Sequence, residues 1–178
     1  MGYYRSRGLR GSSLEEYINM TNEKYRDHGI GLIQKIPTPI KAVELNKEEG
    51  NIQKAFFEQR STVDYIGLVQ GYAICFDAKE TNLSRFPLRN IHEHQLNFMA
   101  DFIKQEGLAF FLIHFSHADK IYLVPYDFIM EKIQQSQQGG RKSFPIEDCA
   151  LSCYEVENKE GYIVHYIEAL DRYLQVKS

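Results

Sequence analysis

A chain of 178 residues, 43% hydrophobic and 25% charged, is long enough for one domain with a sizeable core and lies outside the disordered class. Its formal net charge of −3 lacks the basic surplus usual in nucleic-acid binders, although local patches rather than the net value decide such contacts. No apolar run approaches the roughly 18 residues of a membrane span, and no basic start with an apolar centre marks a signal peptide, so a cytoplasmic protein with no membrane partner is expected.

Residues 1–11 (MGYYRSRGLRG) are rich in glycine and arginine and read as a flexible basic arm carrying Arg7 and Arg10. A helix is predicted from Ser13, with Glu16 completing a capping box, Leu14, Tyr17, Ile18 and Tyr25 on one face, and Gly29 as the stop. Ile30–Ile36 reads as a short strand, interrupted by Pro37 and Pro39 because proline cannot donate a ladder hydrogen bond. Residues 37–60 are mixed and charged, with Gly50 at a turn, and suggest a projection from the body. Asp64–Val69 and Tyr72–Lys79 read as two strands joined at Gln70-Gly71.

A helical pattern follows from about Ile91 to Gln105, ended by Gly107. Two further strands are predicted, Leu108–Phe115 and Lys120–Val124, with His117-Ala118-Asp119 between them. A helix over Asp127–Gln135, a Gly139-Gly140 loop and a C-terminal helix from about Tyr162 to Val176 complete the reading. Strands in the middle with helices at both ends predict a single α/β domain over 1–178. The three cysteines, Cys75, Cys149 and Cys153, are an odd number without a Cys-x-x-Cys pair, and read as buried reduced thiols.

The chemistry concentrates around residue 77. Asp77 and Lys79 are two apart on a strand, so they share a face, while Phe76 and Ala78 point the other way. A hairpin turning near residue 70 brings Asp64 beside Asp77. Two converging carboxylates suit a hard cation such as Mg²⁺, which takes one or two carboxylates with waters and phosphate oxygens. Such an ion polarises a phosphate and acidifies a bound water, and Lys79 can stabilise the growing negative charge. The spacing alone is loose, and an Asp and a Lys two apart are ordinarily a solvated pair.

Context sharpens it. The runs Phe57-Glu58-Gln59-Arg60-Ser61-Thr62-Val63-Asp64-Tyr65-Ile66-Gly67, Phe76-Asp77-Ala78-Lys79-Glu80-Thr81, Phe86-Pro87-Leu88, His92-Glu93-His94-Gln95 and Gly140-Arg141-Lys142-Ser143 resemble the RecU-type Holliday junction resolvases of the PD-(D/E)xK nuclease superfamily. The resemblance runs from about Arg10 to the C-terminal helix. It implies a restriction-endonuclease-like central mixed sheet flanked by helices, with 37–60 as a projecting stalk.

It also implies metal-site roles for Thr62, Asp64, Asp77 and Gln95, with Mg²⁺ as the ion and Mn²⁺ as a substitute. Lys79 becomes a transition-state stabiliser and Glu15 a supporting catalytic acid on the first helix. Arg7, Arg10, Lys41, Lys54, Arg85, Arg141 and Lys142 are the DNA-binding candidates. The resemblance further implies a homodimer on four-way and branched DNA and contact with a RecA-type recombinase. Asp77 departs from the family pattern, which carries Glu there.

His92 and His94 diverge at a helix start, so capping or packing suits them better than zinc. Arg141-Lys142-Ser143 lacks the P-loop spacing and is either a solvated loop or a phosphate contact. The competing functional class is a non-catalytic protein that binds branched DNA and anneals strands. The set Asp64, Asp77 and Lys79 disfavours it, since a pure binder gains nothing from carboxylates that repel phosphate.

Overall fold

The computed structural model describes residues 12–37, 40–46, 51–57 and 62–177. In chain order the elements are α1 (Ser12–Asp27), β1 (Gly31–Lys35), β2 (Ile40–Asn46), β3 (Asn51–Phe57), β4 (Tyr65–Val69), β5 (Tyr72–Thr81) and β6 (Arg85–Pro87). A 3₁₀ turn (Leu88–Asn90) then leads to α2 (Glu93–Lys104), β7 (Leu108–Phe115), β8 (Lys120–Pro125), α3 (Tyr126–Gln137), β9 (Ser143–Pro145), α4 (Ile146–Ser152), β10 (Tyr154–Val156) and α5 (Tyr166–Lys177).

Six strands form the central sheet in the order β1-β4-β5-β7-β8-β10. Its pairings are antiparallel except β5 with β7, so the sheet is mixed and flanked by helices, as the sequence predicts. The β5–β7 pair needs a crossover, and α2 supplies it. β7, the run Leu108 to Phe115, is buried on both faces, which explains its nearly unbroken apolar sequence.

The two faces hold separate cores. On one, Leu14, Ile18 and Tyr25 of α1 and Ile167 and Leu170 of α5 pack on Tyr65, Phe76, Phe110 and Leu112. On the other, Met99 of α2, Ile129 of α3 and Cys149 of α4 pack on Cys75, Phe111, Ile113 and Val124, with Phe86 and Phe144 from the β6–β9 ribbon. The hairpin of β4 and β5 turns at Gln70 (φ 46°) and Gly71 (φ 94°), two left-handed residues that match the twist of paired strands.

Several boundaries differ from the sequence reading. The first helix already includes Ser12, which puts Ser13 inside its first turn and not at the cap. Tyr17 leaves the buried face of α1 and is 42% exposed, because it sits at the margin of the Leu14–Ile18–Tyr25 stripe. The C-terminal helix starts at Tyr166 rather than near Tyr162. The preceding backbone is spent elsewhere: Val164 N–H donates to Thr21 Oγ1 at 3.2 Å and His165 N–H to Glu157 O at 3.0 Å. The short elements β6, β9, α4 and β10 carry no periodicity that a sequence pass can find.

Within 37–60, β2 and β3 pair antiparallel with each other in a two-stranded sheet apart from the central one. Lys41 lies opposite Phe56 and Lys54 opposite Glu44 in that ladder. Gly50 and the arm bearing Arg7 and Arg10 lie outside the described residues. All three cysteines are free thiols, with Cys75 and Cys149 buried and Cys153 partly so. Among the described residues no helix is long and apolar enough to cross a membrane.

Candidate active site

β4 and β5 bring the two carboxylates together by register. Tyr65 pairs with Phe76, so one residue further back along the ladder Asp64 faces Asp77. Asp64 Oδ2 accepts the Ala78 N–H at 2.9 Å, which anchors its side chain across the hairpin. Asp77 is fully buried. Its Oδ2 accepts from Gln95 Nε2 at 2.5 Å, and Lys79 Nζ lies 2.6 Å from Oδ1. That last contact is an ion pair off hydrogen-bond alignment, so Oδ1 is buried without a hydrogen bond among the described residues.

These surroundings set the chemistry of Asp77. Burial pushes its carboxyl up to about 7; the Lys79 ammonium pulls against that, and the neighbouring Asp64 carboxylate adds to the rise. A carboxylate in this position gains most from a nearby cation. The sites for one are limited: among the described residues no group of three His, Cys, Asp or Glu side chains converges as a metal site. Two facing carboxylates, one of them fully buried, nonetheless fit a hard divalent ion that completes its shell with water and phosphate oxygen. The chemistry of these two residues therefore fits such an ion.

Gln95, expected among the metal-site residues, is bonded at both ends of its amide. Its Oε1 accepts the His92 N–H at 3.1 Å, closing the start of α2, while its Nε2 faces Asp77. The amide cannot be reversed, because its NH₂ would then confront the His92 N–H. Gln95 thus ties the N-terminus of α2 to the buried carboxylate and orients it. Thr62 lies on the exposed bend that precedes the buried Val63.

Glu15, on α1, pairs with Lys35 of β1 at 2.5 Å. It also lines a cleft of about 550 Å³ together with Lys79, Thr81, Arg89, Asn90 and Ser116. Thr81 fixes the far wall: its carbonyl accepts from Ser116 N–H at 2.9 Å and its hydroxyl from Leu83 N–H at 3.2 Å. Glu15 is therefore gathered into the same cleft as Lys79.

The cations named from the sequence fall into different groups. Arg85 spends its Nε and one terminal nitrogen on Ser143 Oγ and O, at 3.0 and 2.8 Å, and so fastens β6 to β9. Arg141 and Lys142 are exposed on the loop before β9, and the Lys142 carbonyl accepts the Leu88 N–H at 3.0 Å. His92 and His94 stack on each other with ring centroids 5.5 Å apart. Arg89 also lines the cleft and is not among the residues predicted from the sequence. Its place depends on a 3₁₀ turn that no periodicity announces.

Comparison with known proteins agrees with the residue patterns. The family model described as Recombination protein U matches residues 9–172. The Holliday junction resolvase RecU of Pediococcus pentosaceus is 38% identical over 172 residues, covering 94% of this chain and 86% of that protein. The Holliday junction resolvase RecU of a Geobacillus species is 42% identical over 142 residues, covering 78% and 71%. Among solved structures, the Holliday junction resolvase Hjc of Archaeoglobus fulgidus matches 66% of this chain and 74% of its own, at 8% identity and a TM-score of 0.42, too slight a likeness to bear on the site. On the family model and the identities over nearly the whole chain, this protein belongs to the RecU family.

Proposed function

We propose that this chain is a divalent-metal-dependent endonuclease that resolves Holliday junctions, cutting the phosphodiester backbone where Asp64, Asp77 and Lys79 meet, at the cleft that Lys79 and Glu15 line. The observation that carries the reading is the buried Asp77 carboxylate, held by Gln95 and Lys79, opposite Asp64. A structural ion pair would be satisfied by Lys79 alone. Here a second acid, Asp64, faces the paired carboxylate across the hairpin.

Asp64 and Asp77 would hold the ion, with Mg²⁺ the expected species and Mn²⁺ a substitute. A bound divalent ion supplies a Lewis acid for the phosphate and an acidified water as nucleophile. Lys79, 16% exposed and fixed against Asp77, presents its ammonium to the cleft and stabilises the extra negative charge as the phosphate is attacked. Gln95 and Lys79 hold the two Asp77 oxygens and so keep the carboxylate in one rotamer. Glu15, partly neutralised by Lys35, supports the same cleft from α1. Thr62 is kept as a candidate ligand on the strength of the family resemblance.

The substrate reading follows the family. Two symmetric nicks need two sites related by a twofold axis, so the protein acts as a homodimer. The hairpin of β2 and β3, with Lys41 and Lys54, is the stalk that meets the branch point. Arg7, Arg10, Arg141 and Lys142 contact phosphates, whereas Arg85 acts on DNA only through the loop it fastens. A RecA-type recombinase is the expected protein partner. Cleavage of a labelled four-way junction with Mg²⁺, against linear duplex of the same sequence, tests the reading. Paired nicks in the junction and little cutting of the duplex are expected; equal cutting of both overturns junction specificity.

A further inference from the structure

The catalytic cleft is short of cations for a site that must admit a polyanion. Glu15 and Glu80 line it beside Lys79, and the ammonium of Lys79 is already committed to Asp77 at 2.6 Å. Arg89 lines the same cleft and is exposed, and its guanidinium makes no hydrogen bond or ion pair with the described residues. Other exposed cations contrast with it: Lys35, Lys104, Lys120 and Lys159 all have acidic partners.

The backbone under Arg89 is held firmly. Leu88 and Ile91 on either side are buried, and Ile91 N–H donates to Leu88 O at 3.1 Å to close the turn. The Leu88 N–H is bonded to the Lys142 carbonyl, which places the 141–142 loop directly beside this turn. The turn thus presents Arg89 to the cleft that Lys79 lines, and its backbone is bonded to the loop carrying Arg141 and Lys142. Guanidinium forks bind phosphate oxygens two at a time, which suits a fixed position better than a flexible one.

We propose that Arg89 is a phosphate-binding residue of the cleft, gripping the DNA backbone beside the cut phosphate and joining the active site to the Arg141-Lys142 loop in one cationic track. This rests on the endonuclease reading above and adds a substrate contact to it.

The test measures affinity for a labelled four-way junction in EDTA across a salt series, for wild type, Arg89→Ala and Arg89→Lys. A lost phosphate contact lowers the slope of log K against log salt by about 0.9 and weakens binding about tenfold near 0.15 M salt. Arg89→Lys is expected to recover the slope and part of the affinity, and kcat/KM of Arg89→Ala with Mg²⁺ to fall by a factor similar to its affinity. An unchanged affinity overturns the proposal. So does a weaker affinity with an unchanged slope, because a packing defect removes no released counterion. Wild type that fails to bind the junction overturns the endonuclease reading itself and this contact with it.

Discussion

Strand β5 presents two unlike faces, and the difference between them is the design of the site. Toward α1 and α5, Phe76 stacks between Tyr65 and Phe110 at centroid distances of 4.7 and 5.0 Å, a fully buried aromatic column crossing three strands. Toward α2, the same strand carries Cys75, Asp77 and Lys79, passing from buried thiol to buried carboxylate to a half-open ammonium. One face is satisfied by packing alone. The other buries a charge whose neighbours do not fully compensate it, and that deficit is what a metal ion and a phosphate would fill.

The comparison can be broken from either side. Phe76→Ala removes the middle ring of the column and is expected to destabilise the protein by about 3–5 kcal/mol, read by denaturant unfolding. A loss below about 1 kcal/mol would mean that the aromatic face is not the platform described here.

Next comes the cost of the buried charge. With its carboxyl raised from the ordinary 3.8 to about 7, the folded metal-free protein binds a proton at Asp77 more tightly than the unfolded chain does. Stability from this group is therefore full below about pH 4 and is lost as pH rises through 7. Three units correspond to about 4 kcal/mol at most, reduced by any relaxation around the pair. Asp77→Asn in EDTA should accordingly melt higher than wild type at pH 8 and alike at pH 4. A lower melting temperature at pH 8 would contradict the account of Asp77.

The smallest expected effect concerns the link to α2. Gln95→Ala removes both the Asp77 contact and the cap on His92, and should slow single-turnover cleavage about 10–100-fold, as losses of supporting groups around metal ligands commonly do. Gln95→Glu keeps the cap but sets a carboxylate against Asp77, so it should be slower still and restore little. Were Gln95→Glu faster than wild type, Gln95 would be a ligand and not a positioning residue.

Much of this was legible in the sequence, for reasons that are local. The β4–β5 hairpin announces itself through Gln70-Gly71 and two alternating strands, and its register follows from the turn, so Asp64 opposite Asp77 could be foreseen. The direction of Asp77 and Lys79 away from Phe76 follows from strand alternation. What stayed hidden depends on distant chain segments. Whether Gln95 touches a metal or Asp77 is decided by how α2 lies on β5, across 18 residues of chain. Arg85 and Arg89 look equivalent in the sequence; only the β6–β9 ribbon, joining segments 58 residues apart, ties one down and leaves the other facing the cleft.

The central claim is that Asp77 is the carboxylate on which cleavage depends and that binding does not depend on it. The most direct measurement follows Asp77→Ala beside wild type on a labelled four-way junction, with gel-shift affinity in EDTA and cleavage in Mg²⁺ on the same preparations. Cleavage is expected to fall by at least about 10³-fold, since a metal ligand and its charge are lost together. Affinity should stay within about threefold of wild type, because removing a carboxylate also relieves repulsion of phosphate. Junction cleavage by Asp77→Ala at a rate near that of wild type would contradict the account.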